Sequence, residues 1–408
     1  MRTLQSADHV VVVGAGLAGW RFVEALRQHG FAGALTLVGE ETYPPYDRPP
    51  LSKQVLSGKW PIDHTALTSP EHVAGVNVRL RLGVAATGLD VANTTVHLSD
   101  GTSLVGSHVV VATGARARQL PFSALERLHT VRTRGDVERL NDDLSSAPPA
   151  AVVAIIGGGF IGAEVATALK TRGFTPIVLE QAPRPLIDIV GPEVSSWLAD
   201  LAGTANIELR TSQRVADVVE APDGLAVLFE DGGVLGAYAV VVGAGAQVNV
   251  EWLATSGLTI DHGVVVDEHL LATERVAAIG DVARFQWPNV AGSELVRIEH
   301  WQVANDHAAS LARYWVTGEG PATLLVPYFW SDQYGQKIQM LGHPRASDNV
   351  TRVSRTLDGA KWMALFSRSG CVTGVVTLGN PRALMLSKPL LDATTTLEDA
   401  LARAPWAT

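Results

Sequence analysis

Short uninterrupted apolar runs, rich in valine and isoleucine, recur along the chain at His9–Val13, Leu35–Val38, His108–Ala112, Val152–Ile156, Pro176–Leu179 and Ala239–Val242. A strand with one wet face alternates polar and apolar residues. These runs do not alternate, so each predicts a strand buried on both faces, as in a parallel sheet. Longer stretches with helical spacing lie between them, which is α/β patterning. After residue 320 the texture changes. Tyr328–Gln339, Trp362–Ser367 and Val372–Leu378 predict strands of a mixed or antiparallel sheet, followed by a helical tail.

The first half repeats itself. VVVVGAGLAG at Val10–Gly19 returns as VAIIGGGFIG at Val153–Gly162, and VVVATGA at Val109–Ala115 is echoed by VVVGAGA at Val240–Ala246. Two units of one architecture are therefore expected, with the Pro-containing stretch Ser145–Ala150 as the loop before the second.

Each unit carries a glycine motif between a strand and a helix. In the first, Gly14 permits a tight turn, Ala15 follows, Gly16 lets a pyrophosphate approach the backbone, and Gly19 lets the helix pack on the strand. An acid is expected about 20 residues on to bind ribose hydroxyls. Glu40 stands there, 21 residues after Gly19. In the second unit Gly157, Gly159 and Gly162 play the same parts, with Glu180 18 residues later. An acid at that place suits an unphosphorylated 2′-hydroxyl and repels a 2′-phosphate, although Arg184 softens the preference. Two such sites imply two dinucleotides, most economically FAD and NADH.

Composition narrows the class. The chain has 408 residues, 47% hydrophobic and 18% charged, which supports large buried cores rather than disorder. A net charge of −9 argues against a general nucleic-acid or acidic-membrane binder. The N-terminus lacks the basic and apolar regions of a signal peptide, and no long uncharged apolar stretch predicts a membrane span. A single cysteine, Cys371, excludes an intramolecular disulfide, a CxxC pair and a cysteine-built cluster, and fits a reducing, cytoplasmic setting. Its apolar strand makes it a small core residue by expectation. No metal site is expected: His300 and His307 share a helical segment without a further ligand and read as ordinary helix histidines.

Several longer segments carry a resemblance over nearly the whole chain: YPPYDRPPLSK (Tyr43–Lys53), VVATGARAR (Val110–Arg118), IIGGGFIGAE (Ile155–Glu164), VDEHLLATERVAAIGDVA (Val266–Ala283), RIEHW (Arg297–Trp301) and FWSDQYGQKIQ (Phe329–Gln339). The sequence resembles the FAD-dependent, NADH-linked ferredoxin reductases that serve Rieske-type dioxygenases and bacterial cytochrome P450 systems. The resemblance implies a glutathione-reductase-like flavoprotein architecture with two Rossmann-like domains and a C-terminal α+β domain. It implies an FAD-binding domain at 1–117 and 250–320, an NAD-binding domain at 118–249, and a C-terminal interface domain at 321–408. The implied partner is a [2Fe–2S] ferredoxin that feeds an oxygenase, with no nucleic acid and no membrane.

The resemblance also implies roles for residues. Asp281 faces the flavin ribityl and pyrophosphate, Val84 lies beside the adenine, and Arg48 and Arg132 contact FAD. Lys53 lies near flavin N5 and pairs with Glu164, where a buried cation would stabilise charge on the reduced ring. Residue type alone also allows Asp281 as a turn former, Lys53 as a surface residue and Glu164 as a first-turn glutamate favoured by the helix dipole. Glu299 matches a residue near the nicotinamide, and Trp301 and Trp330 match positions lining the flavin. Trp330 faces the ferredoxin by the same resemblance, in packing, docking or electron transfer. A docking face for an acidic ferredoxin would draw on Lys337, Arg345, Arg352, Arg355 and Lys361. The usual proline near Gln247–Asn249 is replaced by Val248, which touches only the domain-crossing loop. Without a thiol relay, electrons must leave the flavin directly. The rival readings are an NADH-dependent quinone or monodehydroascorbate-type reductase, and a redox-sensing flavoprotein of the apoptosis-inducing-factor type.

Overall fold

The run His9–Val13 is the middle strand of a five-stranded parallel sheet ordered Val276–Ala278, His108–Val111, His9–Val13, Ala34–Gly39, Arg79–Leu82. Val10, Val11 and Val12 are fully buried, as strands covered on both faces require. This is the computed structural model of the chain, and it describes residues 3–122, 125–287, 294–319, 326–355, 361–391 and 395–407.

That sheet belongs to the first of two compact units, Met1–Asp47, Ala66–Arg116 and Val248–Phe329. The helix Leu17–Gln28 follows the first strand and buries Trp20, Phe22, Val23 and Leu26, which recur at spacings of three and four. It packs on the helix Trp301–Thr317, where Phe22 meets Trp315 edge to face at 5.6 Å. A three-stranded antiparallel meander, Ala86–Asp90, Thr95–Leu98 and Ser103–Val105, is inserted before the fourth strand.

The second unit, Arg48–Thr65, Ala117–Gln247 and Trp330–Thr408, repeats this plan. Its parallel sheet is ordered Glu208–Arg210, Thr175–Leu179, Val152–Ile156, Ala239–Val242, Leu128–Thr130. Its own meander is Val215–Ala221, Gly224–Phe229 and Val234–Ala237. In both units the strand leading to the glycine turn lies between the strand ending in the acid and the strand of the second glycine run. Strand order reverses there, which opens a crevice at the carboxyl ends of the strands.

The C-terminal residues form a five-stranded sheet ordered Tyr328–Gln333, Gln336–Gly342, Cys371–Leu378, Trp362–Arg368, Asn349–Arg355. The helices Pro381–Leu386 and Leu397–Arg403 follow it. Trp362 stacks on Trp197 at 5.2 Å with planes 7° apart, joining the sheet to the long segment Ile187–Thr204, which Gly191 and Pro192 break into two helical pieces. The expected strand Tyr328–Gln339 is two strands, because Tyr334 (φ 55°) and Gly335 (φ 76°) take left-handed conformations and turn the chain. Asn349–Arg355, sequence NVTRVSR, was not anticipated because it lacks a long apolar run.

Cys371 corrects an expectation. It is half-buried rather than core, because it is the first residue of its strand, directly after the turn at Ser369 and Gly370. The expected domains and the compact units divide the chain differently. Arg48–Thr65 groups with the second unit, as does Trp330–Thr408, and the expected boundary at 321 lies outside the described residues. Among the described residues, no helix is long and apolar enough to cross a membrane.

Candidate functional site

In the first unit Gly14 ends its strand with φ 120°, and a Cβ there would stand 2.2 Å from the Ala112 carbonyl oxygen. Only glycine fits a turn pressed this close to the neighbouring strand. A Cβ on Gly19 would meet the Gly14 oxygen at 2.0 Å, so the helix packs tightly on its own turn. Gly16 differs: a Cβ there would meet nothing within 4 Å. Gly16 is also the N-cap, with no side-chain cap and no acid in the first turn. The helix therefore begins with bare amides facing open space, a place suited to a pyrophosphate.

Two other expected groups converge on this turn. A Cβ on Gly39 would meet the Ala15 methyl at 2.7 Å, and Glu40 follows Gly39 as an exposed carboxylate. Val84, half-buried, donates its amide to the Gly39 carbonyl at 3.0 Å and so sits beside Glu40. The short turn Gly280–Val282 abuts the same helix start, since a Cβ on Gly280 would lie 3.0 Å from the Ala18 methyl. Asp281 is thereby carried to the end of the glycine turn. Arg297 donates to the Asp281 carbonyl at 3.2 Å and pairs with Glu299. Trp301 opens the next helix, and its indole Nε1 donates to Asp47 at 2.7 Å.

Arg116, in the run Val110–Arg118, forms an ion pair in the same unit. Its guanidinium grips Glu251 through two nitrogens, at 3.0 and 2.5 Å, and donates to Asn249 at 2.8 Å. The hydrogen-bonded guanidinium holds the Glu251 carboxyl down to about 2.

In the second unit Gly157 (φ 109°) would place a Cβ 2.5 Å from the Gly243 oxygen, and Gly162 would place one 2.0 Å from the Gly157 oxygen. Gly159 is again an N-cap without a side-chain cap or first-turn acid, and a Cβ on it would reach only Leu186 Cδ2 at 4.0 Å. Glu180 stands over this turn. One carboxylate oxygen accepts from Gly158 N and the other from Ala182 N, both at 2.8 Å. Arg184 is exposed.

The same unit holds a buried ion pair. After Pro49 and Pro50 the segment Leu51–Val55 forms a single π-helical turn, with Val55 N donating to Pro50 O at 2.9 Å. The turn sets Ser52 and Lys53 side by side. Lys53 Nζ lies 2.7 Å from Glu164 Oε2 and 3.1 Å from Pro49 O. Ser52 Oγ donates to Glu164 Oε2 at 2.5 Å, and Ser331 Oγ donates to Oε1 at 2.6 Å. The Lys53 and Glu164 side chains are 11% and 3% exposed, so this charge pair is desolvated and fully bonded. Glu164 lies beyond the first turn of Phe160–Thr171, so the alternative of a dipole-favoured first-turn glutamate does not hold.

Ser52 and Ser331 went unrecognised because they reach Glu164 across 112 and 167 residues of sequence. Strand alternation sends Trp330 to the face opposite Ser331, so Ser331 is the residue that meets Glu164. Arg48 Nη1 donates to the Arg132 carbonyl at 3.1 Å. Arg132 stands just before the helix Arg134–Ser145, whose Thr133–Asp136 capping box fixes the approach. Of the expected docking cations, Lys337 pairs with Asp332 at 2.8 Å, while Arg352 and Lys361 are exposed and Arg345 is half-buried. The Arg355 side chain lies outside the described residues.

This geometry has known counterparts. The pyridine nucleotide-disulphide oxidoreductase family model matches residues 8–308, and a reductase C-terminal model matches residues 328–406. Rhodocoxin reductase of Rhodococcus erythropolis is 36% identical over 94% of this chain and 89% of its own. The ferredoxin reductase component of chlorobenzene dioxygenase from a Cupriavidus strain is 32% identical over 97% of this chain and 95% of its own. Among solved structures, the reductase in the covalent putidaredoxin reductase–putidaredoxin complex matches with a TM-score of 0.91 and 31% identity, covering 97% of this chain and 96% of that one.

Proposed function

Because the chain belongs to the pyridine nucleotide-disulphide oxidoreductase family, we propose that it is an FAD-dependent NADH:ferredoxin reductase feeding a cytochrome P450 or a Rieske-type oxygenase. The observation that carries this reading is a pair of bare glycine turns, each with its acid, in a chain with one cysteine. Two turns provide for two dinucleotides. One cysteine cannot form the dithiol through which a disulphide reductase passes electrons. The likeness to named ferredoxin reductases runs through the C-terminal domain as well.

The first unit would hold FAD, with the Gly14–Gly19 turn at the pyrophosphate, Glu40 at the adenosine ribose, Val84 at the adenine and Asp281 at the ribityl chain. The second would hold NADH on the Gly157–Gly162 turn with Glu180 at its ribose. FAD held there would supply the redox chemistry, which is hydride acceptance from NADH and one-electron transfer to each of two [2Fe–2S] ferredoxins, with one proton returned to solvent. The chain's own groups position and tune. Lys53 supplies a fixed positive charge, Glu164 holds it in place, and Ser52 and Ser331 keep the carboxylate oriented. We place the reaction in the cytoplasm, where NADH is regenerated.

Anaerobic titration with NADH and with NADPH, followed by mixing with cytochrome c, tests the reading. Fast flavin bleaching by NADH and cytochrome c reduction that requires added [2Fe–2S] ferredoxin are expected. Reduction indifferent to ferredoxin, or rapid only with a quinone, would sink it. Glu180→Ala removes the carboxylate that both fixes the turn and meets the ribose. It is expected to raise KM for NADH about ten- to hundredfold and to narrow the NADH-over-NADPH ratio. Steady-state rates with both nucleotides check this, and an unchanged ratio would take Glu180 out of the site.

A further inference from the structure

His307 is fully buried in the helix Trp301–Thr317, and the reaction as described makes no use of it. Its Nδ1 lies 3.2 Å from the backbone nitrogen of Gly280. A backbone N–H can only donate, so Nδ1 accepts and the ring proton sits on Nε2. The ring stands edge-on to Phe285 at 4.8 Å and 85°, and Nε2 has no hydrogen-bond partner among the described residues. Burial holds the ring's pKa down to about 3, so the acceptor lone pair is present throughout the neutral range.

The acceptor falls at a sensitive place. Gly280 is left-handed, with φ 72°, and begins the short turn that presents Asp281. Ala18 of the first glycine helix and Ala304 of the His307 helix pack against it, at 3.0 and 3.7 Å from a Cβ built there. The turn is gripped from both ends: Arg297 donates to the Asp281 carbonyl, and His307 accepts from the Gly280 amide. An apolar residue at 307 would leave that buried amide without a partner.

We propose that His307 is a positioning residue for the flavin, which fixes the Gly280–Asp281 turn by accepting its amide and so aims the Asp281 carboxylate at the ribityl chain of bound FAD. The proposal rests on the reading of Asp281 as an FAD ligand.

The test uses the holoprotein and the variants His307→Leu, His307→Asn, Asp281→Ala and the double variant with His307→Leu and Asp281→Ala. FAD release on dilution is followed by flavin fluorescence, together with the flavin absorption spectrum. His307→Leu is expected to weaken FAD retention about tenfold and to shift the spectrum. His307→Asn, which keeps an acceptor at the same distance along the side chain, is expected to restore both. The double variant is expected to be no weaker than Asp281→Ala alone, because His307 acts through Asp281. Unchanged retention in His307→Leu, or additive losses in the double variant, would overturn the inference.

Should His307→Leu fail to fold, ¹⁵N-histidine spectra of the wild-type holoprotein decide. The His307 signal, assigned by its absence from the His307→Asn spectrum, is expected to stay neutral into acid pH with an unprotonated Nδ1, and a protonated Nδ1 there would overturn the inference. A wild-type chain that binds no FAD, or full retention in Asp281→Ala, overturns the reading of the site and the inference together. An FAD-binding wild type with an unaffected His307→Leu overturns the inference alone.

Discussion

Glu164→Ala is expected to lose about 3–5 kcal/mol of stability, lowering the apparent unfolding midpoint by roughly 5 °C. The carboxylate is 3% exposed and accepts from three side chains, Ser52, Lys53 and Ser331. Its removal leaves an 11% exposed ammonium without its counter-charge and two hydroxyls without acceptors. Glu164→Gln keeps the volume and part of the bonding but not the charge. It is expected to fold more stably than the alanine variant while still losing ferredoxin-dependent turnover, because Lys53 is no longer held. Ser331→Ala removes one bond only, worth about 1–3 kcal/mol. Thermal unfolding and ferredoxin-coupled cytochrome c reduction, run on the same preparations, separate the two contributions. An alanine variant with the wild-type midpoint and turnover would show that the pair neither supports the fold nor serves the chemistry.

The second large effect divides two glycines that look equivalent in the motif. Gly14→Ala puts a methyl 2.2 Å from a backbone carbonyl at φ 120°, where neither atom can yield. A loss of more than about 3 kcal/mol is expected, seen as insoluble or unfolded chain. Gly16→Ala meets nothing within 4 Å, and its φ of −87° is ordinary for alanine. The fold is expected to stand. The methyl instead occupies the space over the bare helix amides, so FAD is expected to bind about ten- to hundredfold more weakly. Circular dichroism, the flavin-to-protein ratio after purification and FAD titration distinguish the outcomes. Full FAD binding in Gly16→Ala would move the dinucleotide away from this turn.

The contrast shows how much of the site was legible. The glycine spacing, the strand before it and the acid after it are local features, set by one turn and its flanking elements. They were readable at Gly14–Glu40 and again at Gly157–Glu180, and the duplicated strand order follows from the same repeat. The strand break at Tyr334 was not readable, because a tyrosine in a left-handed conformation carries no propensity signal. Cys371 was misread for a related reason: an apolar neighbourhood in sequence does not say which end of a strand meets solvent.

By itself, then, the sequence determined the α/β class, the two nucleotide turns and their acids, and the absence of a thiol pair, since each depends on residues close in the chain or on composition. Tertiary structure alone decided which groups complete those turns. Ser331 joins Glu164 from 167 residues away, and His307 meets Gly280 from 27 away. A serine or histidine in an apolar stretch looks like packing until the fold brings a buried partner within bonding distance. Burial then makes that bond count, because water is no longer there to replace it.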